Sequence, residues 1–181
     1  MTLYANTLSL IATRPRRRLA TSTPALDALF QRLASCHTEA DAIAVEECIW
    51  HVWMHHPHRF ANEALDRSAD DIAARRFDVA ETRLTRLLRC LPDYAEAWHK
   101  RATLYYLLGE DAQCVHDLSR TLEREPRHFG ALCSFGEILL GEGDLEAACF
   151  AFSAALCVHP FIARARAIVA EHPHWRRQAD R

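Results

Sequence analysis

A chain of 181 residues, half of them apolar, is long enough for one domain with a substantial core. Its 22 Lys and Arg against 24 Asp and Glu leave a formal charge of -2, which excludes a global electrostatic footprint for nucleic acid or an anionic membrane. Seven cysteines form an odd set with no CxxC pair, which argues against a disulfide framework and a zinc ribbon and fits a reducing compartment.

The first 26 residues carry no Asp or Glu and hold Arg14, Arg16, Arg17 and Arg18 among seven Ser and Thr. That composition predicts an unpacked, disordered tail over 1–24, with an organellar transit segment as the alternative. The arginines follow Leu8, Leu10 and Ile11 rather than precede them, so the order disfavours a secretory signal. No aromatic residue interleaves the arginines for base stacking, so nucleic acid is not an expected partner. A cytoplasmic location is expected, or an organelle such as the mitochondrial matrix if the segment is a transit peptide. Membrane insertion is not expected, because no apolar run approaches the roughly 18 residues that a span needs.

Residues 25–60 predict a helical hairpin. Leu26, Leu29, Phe30 and Leu33 share one helical face, and Ile43, Ile49, Trp50 and Trp53 mark a second helix that Pro57 stops. Such a hairpin is expected to cover the open edge of whatever follows it.

From Ala61 the chain repeats. Pro92, Pro126 and Pro160 recur every 34 residues, as do Leu84, Leu118 and Phe152, and Ala80, Cys114 and Ala148. Within each row the apolar residues fall at helical spacing in two runs: Trp98, Ala102 and Tyr105 then Cys114 and Leu118; Leu132, Gly136 and Leu139 then Ala148 and Phe152. Gly109 and Gly143 stand between the two helices of their rows, where a positive φ ends a helix. The rows 61–94, 95–128 and 129–162 are therefore three helical hairpins. Row 61–94 departs from the pattern, with Asp71 and Arg75 where an aromatic and a glycine would stand. Ile162, Ala165, Ile168 and Val169 give a short capping helix over 161–170, and 171–181 reads as a polar tail.

These residues resemble the tetratricopeptide-repeat (TPR) family: a large apolar residue, a small one, an aromatic, then Ala, an aromatic or Leu, and a closing Pro. The segments WHKRATLYYLLGE and LEREPRHFGAL are similar to small bacterial members with no established activity. The resemblance implies an all-α, right-handed α-solenoid with capping helices, acting as a non-catalytic scaffold without a cofactor. Its partner would be a protein or peptide lying in a concave groove built from first helices. By that resemblance the groove would expose Glu96, His99, Lys100, Thr103 and Tyr106, flanked by Asn62 and Asp66 on one side and Cys133, Ser134 and Glu137 on the other. The oligomeric state is left open.

Two other constellations bear on chemistry. His51, His55, His56 and His58 crowd one helix end, and His51 and His55 share a face at i,i+4, but no Glu or cysteine pair completes a metal set. Cys133 falls toward the inner face, where a ligand would reach it. A metal- or redox-responsive protein using the histidine cluster or Cys133 is thus the alternative to a scaffold. Arg67 and Arg101, 34 residues apart between helices, must pair with a neighbour such as Asp71 or Glu96 or snorkel outward, or else offer a guanidinium to an acidic peptide.

Overall fold

A computed structural model describes residues 2–13 and 23–172, and all of its regular structure is helical. The helices in chain order are α1 (Thr2–Thr13), α2 (Pro24–Ala34), α3 (Glu39–Met54), α4 (Arg59–Ala73) and α5 (Phe77–Cys90), then α6 (Ala95–Leu108), α7 (Asp111–Arg124), α8 (Phe129–Gly141), α9 (Leu145–Val158) and α10 (Ala163–Glu171). The arginine cluster at 14–18 and the residues from 173 onward lie outside the described residues.

Helices α4–α5, α6–α7 and α8–α9 form hairpins that stack in sequence, and α10 packs on α9. The punctuation explains the breaks. Gly109 and Gly143 adopt φ of 71° and 78° after α6 and α8, the left-handed conformation that glycine takes without a Cβ clash. Arg75 holds the equivalent place after α4 with φ 58°, and is the one non-glycine with positive φ among the described residues. N-termini are closed by side chains: Thr23 accepts from the Leu26 amide, Thr38 from Asp41, and Asp144 from Ala147.

The main core runs through α6–α10. Leu118, Leu132, Phe135 and Phe152 are fully enclosed there, with the small Ala148 and Ala155 admitting close helix approach. A second cluster, with Leu65, Leu84, Leu87, Tyr94 and Trp98, binds the α4–α5 hairpin to α6.

Two expectations fail here. Residues 2–13 are not an unpacked tail but a helix docked on α7 and α9, with Ile11 buried and Leu3, Tyr4 and Leu8 against the core. Tyr4 meets Phe135 with ring centroids 6.2 Å apart. The polar average of the whole segment hid an apolar stripe at helical spacing within its first half. Nor does the α2–α3 hairpin cover the edge of α4–α5. It folds back across the later repeats, where Leu26, Phe30, Val45, Ile49 and Trp53 share a core with Phe129, Val158, Phe161 and Ile162.

Candidate functional site

The fold-back of α3 decides which part of the inner surface is open. First helices α6 and α8, with Asn62 and Asp66 of α4, carry the residues expected to line a groove, and α3 lays two tryptophans over the N-terminal turns of α6 and α8. Trp50 stacks on His99 with centroids 5.8 Å apart and stands edge-on to His128 and Phe129. Trp53 stacks face to face on His128 at 4.2 Å. Gly130 makes this approach feasible, because a Cβ there would come within 2.8 Å of the Trp50 ring.

Under the tryptophans lies a buried carboxylate. Glu96 is 1% exposed, and its Oε2 accepts from Nε2 of His128 at 3.0 Å. Nδ1 of His128 accepts the amide of Ala131 at 3.1 Å, capping α8. His99 Nδ1 lies 3.5 Å from Glu96 Oε1 in a geometry that makes no hydrogen bond, and Lys100 Nζ is 3.9 Å from the same oxygen. Burial works against ionisation of Glu96, yet the combined pull of His99 and His128 outweighs it and holds the carboxyl far below the usual range. Burial, with His99 beside it, pushes the His128 imidazole below its ordinary value despite the attraction of Glu96. The pair is a neutral imidazole donating to an ionised carboxylate.

Glu96, His99 and His128 offer donor atoms within 4.8 Å of one another, a spacing a metal ion requires. The tautomer argues against one. Because His128 Nδ1 accepts a backbone amide, its proton sits on Nε2 and points at Glu96. A metal on Nε2 would force a proton onto Nδ1, facing the Ala131 N–H and breaking the helix cap. The set fits a structural hydrogen-bond chain better than a metal centre.

A second chain repeats the device. His159 accepts the Phe161 amide on Nδ1 at 3.3 Å and donates from Nε2 to Glu46 Oε2 at 3.0 Å. Glu46 Oε1 takes the Trp50 Nε1–H at 3.1 Å. The His159 hydrogen bond holds the Glu46 carboxyl below its usual value, against partial burial. One glutamate thus ties α3 to the turn after α9.

The expected groove residues are dispersed by this arrangement. Glu96 and His99, expected to be exposed, are buried under α3 and do not present themselves to a partner, because the hairpin that was to cap the array lies on them instead. Asn62 is engaged with the backbone of His56 at both ends of its amide, while Asp66 is exposed. Lys100, Thr103, Cys133 and Ser134 are half-buried, and the Thr103 hydroxyl donates to the His99 carbonyl. Tyr106 is 48% exposed. Glu137 pairs with Arg164 of α10 at 2.9 Å. Burial, then Glu137 and Glu46, push the Cys133 thiol up to about 12, which makes it a poor nucleophile.

The histidines at 51, 55, 56 and 58 do not gather into one donor set. His51 and His55 pair at 3.9 Å, whereas His56 Nδ1 accepts the His58 amide. Arg101 has its ion pair with Asp117 at 2.6 Å rather than with Asp71 or Glu96; Asp71 instead takes Arg76 and Arg83. Arg67 is exposed. Sequence reasoning missed Glu96–His128 and the roofing role of Trp50. The available signals were a histidine at the helix-start column held by Tyr94 and Ile162, and two tryptophans three residues apart on a helix that had to bury them somewhere.

Stacked helical hairpins at a 34-residue period define a helical-repeat protein. The chain is 30% identical over 146 residues to a TPR repeat-containing protein of Rhizobium etli, covering 80% of this chain and 72% of that one. It belongs to the TPR repeat family. No family model matches the sequence. Among solved structures it is similar in fold to a point mutant of MamA, with TM-score 0.52, 19% identity, and 80% and 81% of the two chains covered. MamA MSR-1 C2 gives TM-score 0.53 at 18% identity, with 80% of each chain covered. Among the described residues no helix is long and apolar enough to cross a membrane.

Proposed function

We propose that this chain is a non-catalytic protein-interaction scaffold whose partner docks on the part of the concave surface that α3 leaves open, centred on Lys100, Thr103 and Tyr106. The observation that carries this reading is the exposure of Tyr106 and Leu107, 48% and 54%, at the open end of α6. An apolar ring beside a polar floor is the composition of an interface anchor. Glu137 and Arg164 flank it, and Arg164 lies within electrostatic reach of Tyr106. A peptide or helix of a protein partner is the expected occupant, since the surface offers an aromatic anchor with charged groups beside it.

The test starts from a pull-down with mass spectrometry to identify a partner, followed by titration calorimetry at two salt concentrations. Tyr106→Ala weakens binding by more than about 1 kcal/mol with the fold intact, and Lys100→Ala lowers the salt sensitivity of association. Unchanged affinity in both variants places the interface elsewhere.

A further inference from the structure

The end of the array that α2–α3 leaves uncovered contains an open cleft of about 510 Å³ between α4 and α5, lined by Phe60, Ala64, Val79, Thr82, Arg86 and Leu87 among others. No residue of α2 or α3 lines it. Its shape is explained by the next repeat. Adding 34 to each lining number gives Tyr94, Trp98, Gln113, His116, Arg120 and Thr121. In that repeat Trp98 fills the space. The guanidinium groups of Arg101, Arg120 and Arg124 lie 5.0, 5.5 and 5.4 Å from its ring centroid, and His116 stands edge-on to it at 6.1 Å. Its Nε1–H reaches the Pro92 carbonyl in the turn that leaves α5. The preceding helix α5 packs against α6 there, with Leu87 and Leu88 in the same buried cluster as Trp98.

In the first repeat Ala64 stands in the Trp98 column, so an indole-sized volume is missing, and among the described residues only α4 and α5 line the cleft. Phe60 and Val79 at the two ends of the cleft are 52% and 45% exposed. One cation of the rim is retained: Arg86 holds the Arg120 column and is exposed without an ion pair among the described residues, whereas Cys90 stands in the Arg124 column and Arg83 is held by Asp71. We infer that this cleft is a docking slot for an amphipathic helix of a partner protein, which lies where α5 lies on α6, inserts one Trp or Phe side chain over Ala64, and brings a carboxylate to Arg86. The aromatic replaces what the repeat lacks, and the guanidinium completes both a cation–π contact and a charge pair. Residues one helical turn apart are about 5–6 Å apart, so an acid three or four positions from the aromatic satisfies both demands. The slot is separate from the Tyr106 surface, and its occupancy does not depend on the concave groove.

The experiment is selection of a randomised helical-peptide display library on the full chain, with binders then measured against three variants. Ala64→Trp fills the slot from within, Arg86→Glu reverses the rim charge at an exposed position, and Tyr106→Ala leaves the slot untouched. The expected result is enrichment of Trp or Phe with Asp or Glu one turn away. Affinity should fall at least about tenfold in Ala64→Trp and in Arg86→Glu and stay unchanged in Tyr106→Ala. Because Arg86 is on the surface, that variant remains informative if Ala64→Trp misfolds. Binders with no aromatic requirement, or binders indifferent to both slot variants, overturn the proposal. So does sedimentation showing self-association that both slot variants abolish, which would make a second copy of the chain the occupant.

Discussion

At the scale of single residues, conformational strain and buried charge are the two features with measurable consequences. Arg75 occupies the left-handed position that glycine fills in the other two repeats, and a Cβ there costs roughly 1–2 kcal/mol. Glycine relieves that strain but loses more chain entropy on folding, which offsets part of the gain. Arg75→Gly should therefore stabilise the fold by about 1 kcal/mol in urea titration; no gain would mean that the cation–π contact of Arg75 with Phe77 outweighs the strain. The Glu96–His128 pair sets a pH dependence whose sign follows from both partners. His128 is depressed below 6.5 in the fold, so below that value the unfolded chain takes up a proton that the folded one refuses, and stability falls. Glu96 is depressed below 4.5, so its contribution is complete above that range and is lost as pH falls further. Both terms destabilise toward acid. Thermal melts from pH 7 to pH 4 should show a steady fall in Tm below about pH 6.5, and Glu96→Gln should flatten the lower part of that profile. An identical slope in the variant would show that other carboxylates govern acid unfolding.

At the scale of elements, α1 is the clearest case of local structure hidden by composition. Thr7 and Ile11 are buried and Leu3, Tyr4 and Leu8 rest on the core of α7–α9. Ile11→Ala should cost about 2–4 kcal/mol, seen as a lower midpoint in denaturant at constant slope. A cost near zero would show that the helix docks only loosely. The paired helices of the array were legible because their information is local and redundant: a 34-residue period, apolar faces at helical spacing, and Gly or Pro where helices end. The positions of α1 and α2–α3 were not, since an amphipathic stripe states that a face must be covered without stating by what. Trp50 and Trp53 announced burial, but only the tertiary structure shows that their cover is His99, His128 and Phe129 on helices about 50 to 80 residues away. For the same reason the inner-face residues divided unpredictably: Tyr106 is open, whereas Glu96 and His99 vanished beneath α3.

At the scale of the whole molecule, the fold-back of α3 changes how stability is distributed. In a simple solenoid each repeat contacts only its neighbours, so stability is a sum of local terms and the ends fray first. Here α3 reaches α6, the start of α8 and the turn after α9 at once, through Trp50 on His99 and Phe129 and through Glu46 to His159. Helix α1 adds a second bridge between α7 and α9. The α4–α5 hairpin receives little of this support. It packs on α6 along one side, leaves Phe60 and Val79 exposed on the other, and lacks at Ala64 the aromatic that anchors the next repeat. Unfolding should therefore begin at α4–α5 while α6–α9 remain closed. Native-state hydrogen exchange read helix by helix should give α5 amides an opening free energy lower than that of α7 and α9 by about 2 kcal/mol, the order of one large apolar side chain's burial. The difference should shrink in Ala64→Trp, which supplies the missing ring, and the α7 and α9 amides should fall toward the α5 value in Trp50→Ala, which releases the bridge. Equal protection of α5, α7 and α9 in the parent chain would show that the three hairpins open as one unit and that neither the open cleft nor the α3 bridge divides their stability.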